Sequence, residues 1–469
     1  MSINKGSLKS MPLLAMVLVL AGCSLAPKHE RPMPPVAANW PETIVNHSGT
    51  DASMLGWSSF IEDEQLRQLV GMAVNNNRSL RQALLDIEAA RAQYRITGSA
   101  RLPAVSAQAD GTRQRLPADL SMTGRSEVQS SYQVGLGLTA FELDLFGRVR
   151  NLSASALQEF LATEEAARGV HIGLVAEVSR VYLNLRAGQQ ALEVSQRTLA
   201  NREESLQLVT LRRDNGSASE LEYQEIQSLL ESARVEVERS TRTLVMARNA
   251  LELLIVERLP AGIEQQASNE TLVFQEVAPG LPSQLLERRP DILAAEYRLV
   301  ARYADIGAAR AAFFPSISLT GMFGSASSEL SGLFDGGSRT WQFMPQVNLP
   351  IFTAGRNRAN LDLAQVRREQ AVADYELTVQ TAFTEVADAL VGRETLARQE
   401  QAQVALEASN QRALALSEMR YEGGIDSYAQ YLDVQRRTFA DRLALIEARR
   451  ERELATVSLY TALGGGWLE

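Results

Sequence analysis

Cysteine appears once in 469 residues, as Cys23, and histidine three times, as His29, His47 and His171. One thiol cannot form a disulfide within the chain. The histidines stand too far apart in sequence to suggest a zinc site or a Ser-His-Asp constellation, and His171 reads as a structural residue of a long helix. No Gly-rich loop follows a strand in the pattern that cradles phosphates. The residues therefore call for no cofactor and no metal, and a hydrolase would lack every motif it needs, so the chain does not read as an enzyme. Basic residues are the minority charge: 47 Lys and Arg against 56 Asp and Glu leave a net charge of −9, which argues against nucleic acid as a partner. Aromatics make up only 6% of the chain and hydrophobics 45%, a balance that suits long Ala-rich helices better than a large enzyme core. Beyond Cys23 no apolar run reaches the ~18 residues that mark a membrane-crossing helix. If the mature chain crosses a bilayer, it must do so as a closed β-barrel, the other fold that satisfies every backbone group there.

What is present begins at the N-terminus. Lys5 and Lys9 precede an apolar run from Met11 to Leu20, which closes on Leu20-Ala21-Gly22-Cys23. That order predicts a secretory signal over residues 1–22. A small-residue pair directly before the lone cysteine resembles a bacterial lipobox, whose thiol takes a diacylglyceryl group and becomes the new, palmitate-bearing N-terminus. Cleavage removes two lysines and no acid, giving −9 − 2 = −11. In lipoproteins of that class the residue after the cysteine directs sorting, and Ser24 is not the Asp that typically retains them at the inner membrane. The expected location is the outer membrane, with its lipid as a partner. Pro27, Pro32, Pro34, Pro35 and Pro41 disfavour helix, so residues 23–60 read as the lipidated Cys23 and an extended tether.

The rest of the chain is duplicated. Gly216, Ser219 and Gln227 recur as Gly424, Ser427 and Gln435, and Gly147-Arg148 recurs as Gly355-Arg356, all at an offset of 208. Leu102-Pro103 recurs as Phe314-Pro315 at 212. We read residues 61–258 and 285–469 as two copies of one unit, joined by a linker at 259–284. Each copy runs helix, strand, loop, strand, long helix, turn, helix. In the second copy the first helix is predicted from Leu285 to Phe313, stopping before Pro315.

The strands alternate with period two. Tyr132, Val134, Leu136 and Leu138 share one face, as do Trp341, Phe343, Val347, Leu349 and Ile351, with a shorter pattern at Ile317, Leu319 and Phe323 and a weak one from Val105 to Gly111. Leu116 to Ser130 and Ser325 to Ser338 read as Gly- and Ser-rich surface loops. Pro345 deletes a ladder donor and predicts a bend or an irregular position there. Alternation alone would also suit a soluble sandwich. The runs nevertheless reach the ~9 to 11 residues of a membrane-spanning strand, and Tyr132, Trp341 and Phe343 could form an interfacial girdle. Four strands cannot close alone, because single-chain barrels begin at about eight. Two copies would make a barrel filled by side chains, whereas three make a 12-stranded barrel, so a homotrimer is the smallest assembly that leaves a lumen.

The helices set the other dimension. Arg356 to Met419 contains no Pro and only Gly392, so one helix of about 64 residues would reach roughly 95 Å; its counterpart runs from about Arg148 to Arg213. Val178, Leu185, Leu192, Leu199 and Leu206 repeat every seven residues, as do Val372, Val379 and Val386, a coiled-coil period. Each long helix meets a turn at Asp214-Asn215-Gly216 or Glu422-Gly423-Gly424 and returns as a shorter helix, giving two antiparallel hairpins. The fold class is mainly α with β.

Leu286-Glu287-Arg288-Arg289-Pro290-Asp291-Ile292, then Phe314-Pro315-Ser316-Ile317-Ser318-Leu319-Thr320, Leu349-Pro350-Ile351-Phe352 and Tyr421-Glu422-Gly423-Gly424, together resemble the TolC-like outer-membrane factor family. With Cys23, the likeness is greatest to its lipoprotein branch in drug-efflux operons. The resemblance implies a trimer whose β-barrel crosses the outer membrane and continues as a periplasmic α-helical coiled-coil barrel. It implies two partners, a periplasmic adaptor (membrane fusion) protein and an inner-membrane transporter, usually of the RND type, and the work of a passive exit duct. It also implies a periplasmic gate at the hairpin turns around Gly216 and Gly424. Tyr421 and Asp433 match the family's gate residues. Asp426 stands where some relatives carry a base and Gln430 where some carry an acid. In the first copy Glu222 lies near another family acid, with Glu225 just beyond it. Three copies would turn each acid into a ring needing Arg213, Arg420, Arg436 or a cation as counter-charge. A duct for type I protein secretion shares the architecture, and a lipid-anchored coiled-coil scaffold without a pore would explain the heptads but not the paired strands.

Overall fold

The structure is a computed structural model that describes residues 24–33, 50–51, 55–263, 273–278 and 282–465; the signal segment, Cys23 and tether residues 34–49 lie outside the described residues. In chain order the elements are α1 (Glu64–Asn76), α2 (Arg78–Ser99), β1 (Val105–Leu116), β2 (Glu127–Leu143), α3 (Arg148–Asp214), α4 (Glu220–Ile255), α5 (Pro282–Arg288), α6 (Pro290–Ala311), β3 (Ser316–Ser327), β4 (Arg339–Asn348), α7 (Arg356–Glu422) and α8 (Tyr428–Ala462). A helical turn at Trp57–Phe60 and a two-residue parallel pair, Thr50–Asp51 with Val277–Ala278, complete the set. Among the described residues no helix is long and apolar enough to cross a membrane. The chain divides into two compact units, each drawing on both copies of the duplication.

The first unit contains Ile87–Thr163, Ala294–Tyr375 and the described tether residues. Its centre is one antiparallel sheet in the order β1-β2-β3-β4. Cross-strand rows such as Ala107–Leu136–Phe323–Trp341 and Val105–Leu138–Gly321–Phe343 place the apolar residues on one face. The opposite face carries rows such as Ser106–Gly137–Met322–Gln342. The apolar face is uncovered within the chain: Leu136 is 57% exposed, Phe323 67% and Trp341 75%. On the other face Gly135 pairs with Gly324, and a Cβ on either would sit 2.5 Å or less from the neighbouring carbonyl oxygen, so only glycine permits this approach.

One extra residue keeps that division intact. Between Leu138 and Phe141 the register of β2 slips by one against β3, and Ala140 takes φ 49°. Without this bulge the parity of β2 would carry Glu142 onto the apolar face; with it Phe141 and Leu143 continue that face and Glu142 turns to the polar side. The bend predicted at Pro345 is absent, since the register runs regularly through Leu319↔Pro345. β4 is an edge strand, where every second N–H turns away from the sheet and Pro is tolerated. The loops are shorter than expected, 117–126 and 328–338, because polar pairs such as Arg113↔Ser130 and Gln114↔Gln129 extend the ladder beyond the apolar pattern.

The second unit contains the described residues within Pro34–Asp86, Glu164–Leu293 and Glu376–Glu469. α1 starts at Asp63, whose side chain accepts the Leu66 N–H at 2.9 Å, and buries Leu66, Leu69, Val70 and Ala73. These join Val178, Tyr182 and Leu185 of α3, Leu251 and Ile255 of α4 and Val386 of α7 in one core. Phe60 stacks on Tyr460 at 3.7 Å, and the Tyr460 hydroxyl donates to the Leu55 carbonyl at 2.7 Å. The single helix predicted from Leu285 to Phe313 is two. It breaks at Arg289 because Pro290 lacks an N–H and its ring clashes with the preceding turn, and Pro290 becomes the first residue of α6. Arg289 staples the break: it grips Asp291 at 2.9 and 2.6 Å, reaches Glu385 at 2.7 Å and donates to the Ala462 carbonyl at 3.0 Å.

Candidate functional site

The two hairpins of the second unit end in equivalent turns. α3 and α7 each close with a residue in the left-handed region, Gly216 at φ 72° and Gly424 at φ 71°. The following residues fold back in the same way: Ser217 N–H donates to the Arg212 carbonyl at 2.8 Å and Ile425 N–H to that of Arg420 at 2.9 Å. α4 and α8 then start with matching capping boxes, Ser219 with Glu222 and Ser427 with Gln430. Glu222 therefore spends one carboxylate oxygen on the Ser219 N–H, 2.8 Å away, and Gln430, standing 208 residues on, makes the same bond at 3.0 Å. Both are helix-starting residues first.

Between the turns lies a small core of Val209, Ile226, Tyr428 and Leu432, against which Leu206, Tyr223, Leu229, Tyr421 and Tyr431 pack. Three tyrosines form its surface: Tyr421 stacks on Tyr431 at 5.6 Å with the rings parallel, and both lie near Tyr428. Burial, with the neighbouring Tyr421 and Tyr431, pushes the Tyr428 phenol up to about 12, so it stays neutral at physiological pH.

The duplication explains the polar contacts. Arg420 grips Asp426 with two bonds of 2.8 Å inside its own turn. Its counterpart 208 residues earlier is Arg212, but the place of Asp426 is taken there by Ala218. Lacking that acid, Arg212 reaches the other hairpin and donates to the Tyr421 hydroxyl. Arg213 lies over the Tyr223 ring at 4.1 Å and pairs with Asp214 at 3.2 Å and Glu220 at 3.6 Å. Asp433 is held within α8 by Arg436 at 2.7 Å and by Arg437. Glu225 stands 208 residues before Asp433, and both line a shallow groove between α4 and α8 with Leu229, Leu432 and Arg436.

Tyr421, Asp426 and Asp433 thus share one tip, each accepting from an arginine, while Glu222 is committed to its cap and Glu225 lies alongside in the groove. Arg212 and Arg437 were not among the residues singled out from sequence. The 208-residue offset applied to Arg420 would have found Arg212. The Arg420 bond holds the Asp426 carboxyl below its ordinary range, and Arg437 and Arg436 do the same for Asp433. The arrangement can tie hairpin to hairpin; among the described residues no metal-binding group of three or more His, Cys, Asp or Glu side chains occurs.

An amphipathic four-stranded sheet open at both edges, duplicated together with two 67-residue helices that return as hairpins, defines an outer-membrane channel subunit. The sequence model of the outer membrane efflux protein family matches twice, at residues 69–255 and 281–465. The chain is 54% identical over 457 residues to the outer membrane protein OprJ of Pseudomonas aeruginosa, covering 97% of this chain and 95% of that one. It is 46% identical over 464 residues to the toluene efflux pump outer membrane protein TtgF of Pseudomonas putida, covering 97% and 96%. Among solved structures, the open state of the Neisseria gonorrhoeae MtrE outer membrane channel superposes with a TM-score of 0.86 at 38% identity, covering 95% of this chain and 99% of that one. A membrane protein from Pseudomonas aeruginosa superposes at 0.90 with 55% identity, covering 95% and 98%. The chain belongs to the outer membrane efflux protein family.

Proposed function

We propose that three copies of this chain close a 12-stranded barrel through the outer membrane and line a periplasmic tunnel, the passive exit duct of a tripartite efflux pump. An RND-type inner-membrane transporter drives the cargo, and a periplasmic adaptor joins pump to duct. The cargo is small organic molecules of the kind that name the relatives, which include toluene, solvent and antibiotic efflux proteins. The observation that carries the reading is the sheet. β1 and β4 each leave one edge unpaired in the chain, one face is apolar and exposed, and the other is polar and lined by glycine. Exposed edges of this kind must be paired inside a bilayer. β4 of one copy meeting β1 of the next does so, and three copies leave a lumen. Helices of 67 residues, roughly 100 Å, far exceed the ~30 Å hydrocarbon layer and supply the tunnel.

Residues 1–22 act as the signal and Cys23 as the lipid anchor. Support comes from the next residues: the Ser24 hydroxyl donates to Asn151 at 2.8 Å, one turn into α3, and the Leu25 carbonyl accepts from Arg310 at 3.1 Å. At the tip, the Arg212–Tyr421 link and the Tyr421–Tyr428–Tyr431 cluster hold the entrance shut until the adaptor engages it. The lipid-modified chain in a planar bilayer tests the whole reading. It should migrate as a trimer and pass a small, steady current; a stable monomer that conducts nothing would refute it.

A further inference from the structure

The duplication places two strand-to-helix joints in the first unit, and they are built from opposite chemistries. The first reads Glu142-Leu143-Asp144-Leu145-Phe146-Gly147-Arg148. Here Arg148 grips Glu142 with bonds of 2.8 and 2.6 Å, Asp144 accepts the Arg150 N–H at 2.7 Å, and Phe146 is stacked on Phe314 at 4.7 Å. At the offset of 208 the second reads Pro350-Ile351-Phe352-Thr353-Ala354-Gly355-Arg356. Proline has replaced the ion-pairing glutamate and phenylalanine the capping aspartate. Ile351 is 91% exposed and Phe352 88%.

The arginine, however, has been kept. Arg356 is exposed and lines a notch of about 220 Å³ together with Glu142, Asp144, Arg148, Asn348 and Pro350, where Asp144 accepts the Arg150 N–H. Both oxygens of Glu142 are already taken by Arg148, and no carboxylate among the described residues forms an ion pair with Arg356. A guanidinium with no ion-pair partner among the described residues, four and five residues along the chain from two solvent-facing apolar side chains, is the composition of a membrane–water interface, where the charge meets lipid phosphate and the apolar groups meet acyl chains. The site continues the exposed apolar face of the sheet through Val347 at 65% and Leu349 at 52%. Its level agrees with the anchor, since Ser24, adjacent to Cys23, is bonded to Asn151 at the start of α3.

We propose that Arg356, Ile351 and Phe352 form a binding site for a glycerophospholipid of the periplasmic leaflet, with Arg356 forking onto the phosphate oxygens and Ile351 and Phe352 seated among the acyl chains. The proposal rests on the reading of the chain as a lipid-anchored duct. The occupant is a lipid phosphate, for which the unpaired positive charge is the complement; the second-copy alternative is an outcome of the test.

The lipid-modified full chain is placed in nanodiscs of phosphatidylglycerol or of digalactosyldiacylglycerol, which has no phosphate, then extracted in detergent, and the retained lipid is counted by native mass spectrometry. Arg356→Gln should lower phosphatidylglycerol retention about fivefold, the effect of one basic side chain at an anionic surface, and leave galactolipid retention unchanged. Arg358→Gln is the control, because Arg358 pairs with Asp362 at 3.2 Å. Phe352→Ser should lower retention of both lipids. Unchanged phosphatidylglycerol retention in Arg356→Gln overturns the proposal. So does dissociation of Arg356→Gln in lipid-free detergent, which would make a neighbouring copy the partner. Conductance separates this inference from the duct reading: Arg356→Gln that loses lipid counts should still conduct, and a wild-type chain that never conducts overturns the duct itself.

Discussion

Replacing Tyr421 by Phe deletes one hydroxyl and leaves the ring stack on Tyr428 and Tyr431 in place, so it isolates the link that joins the two hairpins. The hydroxyl accepts from Arg212, a charged donor, at a half-buried position. Such a bond contributes about 1 kcal/mol net once competition from water is counted. In a trimeric tip the link occurs three times, and if the copies open together the closed state loses about 3 kcal/mol. At about 1.4 kcal/mol per tenfold change, opening becomes favoured by roughly two orders of magnitude. Single-channel recording in planar bilayers measures this directly, as an increase in open fraction and mean conductance for Tyr421→Phe. Arg212→Lys should lie between wild type and Tyr421→Phe, since an ammonium keeps the charge but loses the planar fork. Arg420→Gln serves as the control, because Arg420 bonds only within its own turn. Conductance of Tyr421→Phe indistinguishable from wild type, or matched by Arg420→Gln, would refute the assignment of the lock to Arg212 and Tyr421.

The paired acids make the tip insensitive to mild acid. Arg420 lowers the Asp426 pKa, and Arg437 and Arg436 that of Asp433, so their contribution is present above the ordinary carboxylate value and is lost only as pH falls through the lowered one. Conductance should be flat between about pH 5 and about pH 8, and a steep opening near pH 6 would refute this. Deleting Ala140, the extra residue, should turn the bulge into a regular ladder that keeps Phe141 and Leu143 on the apolar face and Glu142 on the polar one, so the heat-modifiable trimer band on SDS gels should persist; its loss would count against the register argument. Arg289→Ala strips the Ala462 carbonyl of its donor and separates Asp291 from Glu385, and should destabilise the second unit by about 2 kcal/mol in urea unfolding, with no measurable change refuting the staple.

Several parts of this molecule follow from local sequence because the physics is local. The period-two apolar pattern needs only the alternation of a strand, so the faces of β2 and β4 were readable residue by residue. The long helices need only the absence of Pro and a seven-residue repeat, and their ends need only Gly216 and Gly424 with Ser219 and Ser427 close behind. The duplication offset of 208 gave the turns their equivalence, and the count of four strands made a shared barrel the expectation.

Other features were decided by tertiary structure, because they depend on which side chain reaches which neighbour. The bulge at Ala140 is invisible in composition, yet it decides where Glu142 points. Pro345 predicts a bend until its strand is known to lie at an edge. Pro290 sits inside an apolar helical pattern, and only its packing beside Arg289 shows two helices in place of one. Asp426 and Asp433 can be named from the sequence around the turns, with Arg420 and Arg436 among the candidate counter-charges, but which arginine each acid takes, and that Arg437 joins Arg436 on Asp433, cannot. Arg212 bonds Tyr421, 209 residues away, because Ala218 leaves it no partner in its own turn, and a side chain's choice between near and distant partners is settled only when the hairpins lie together.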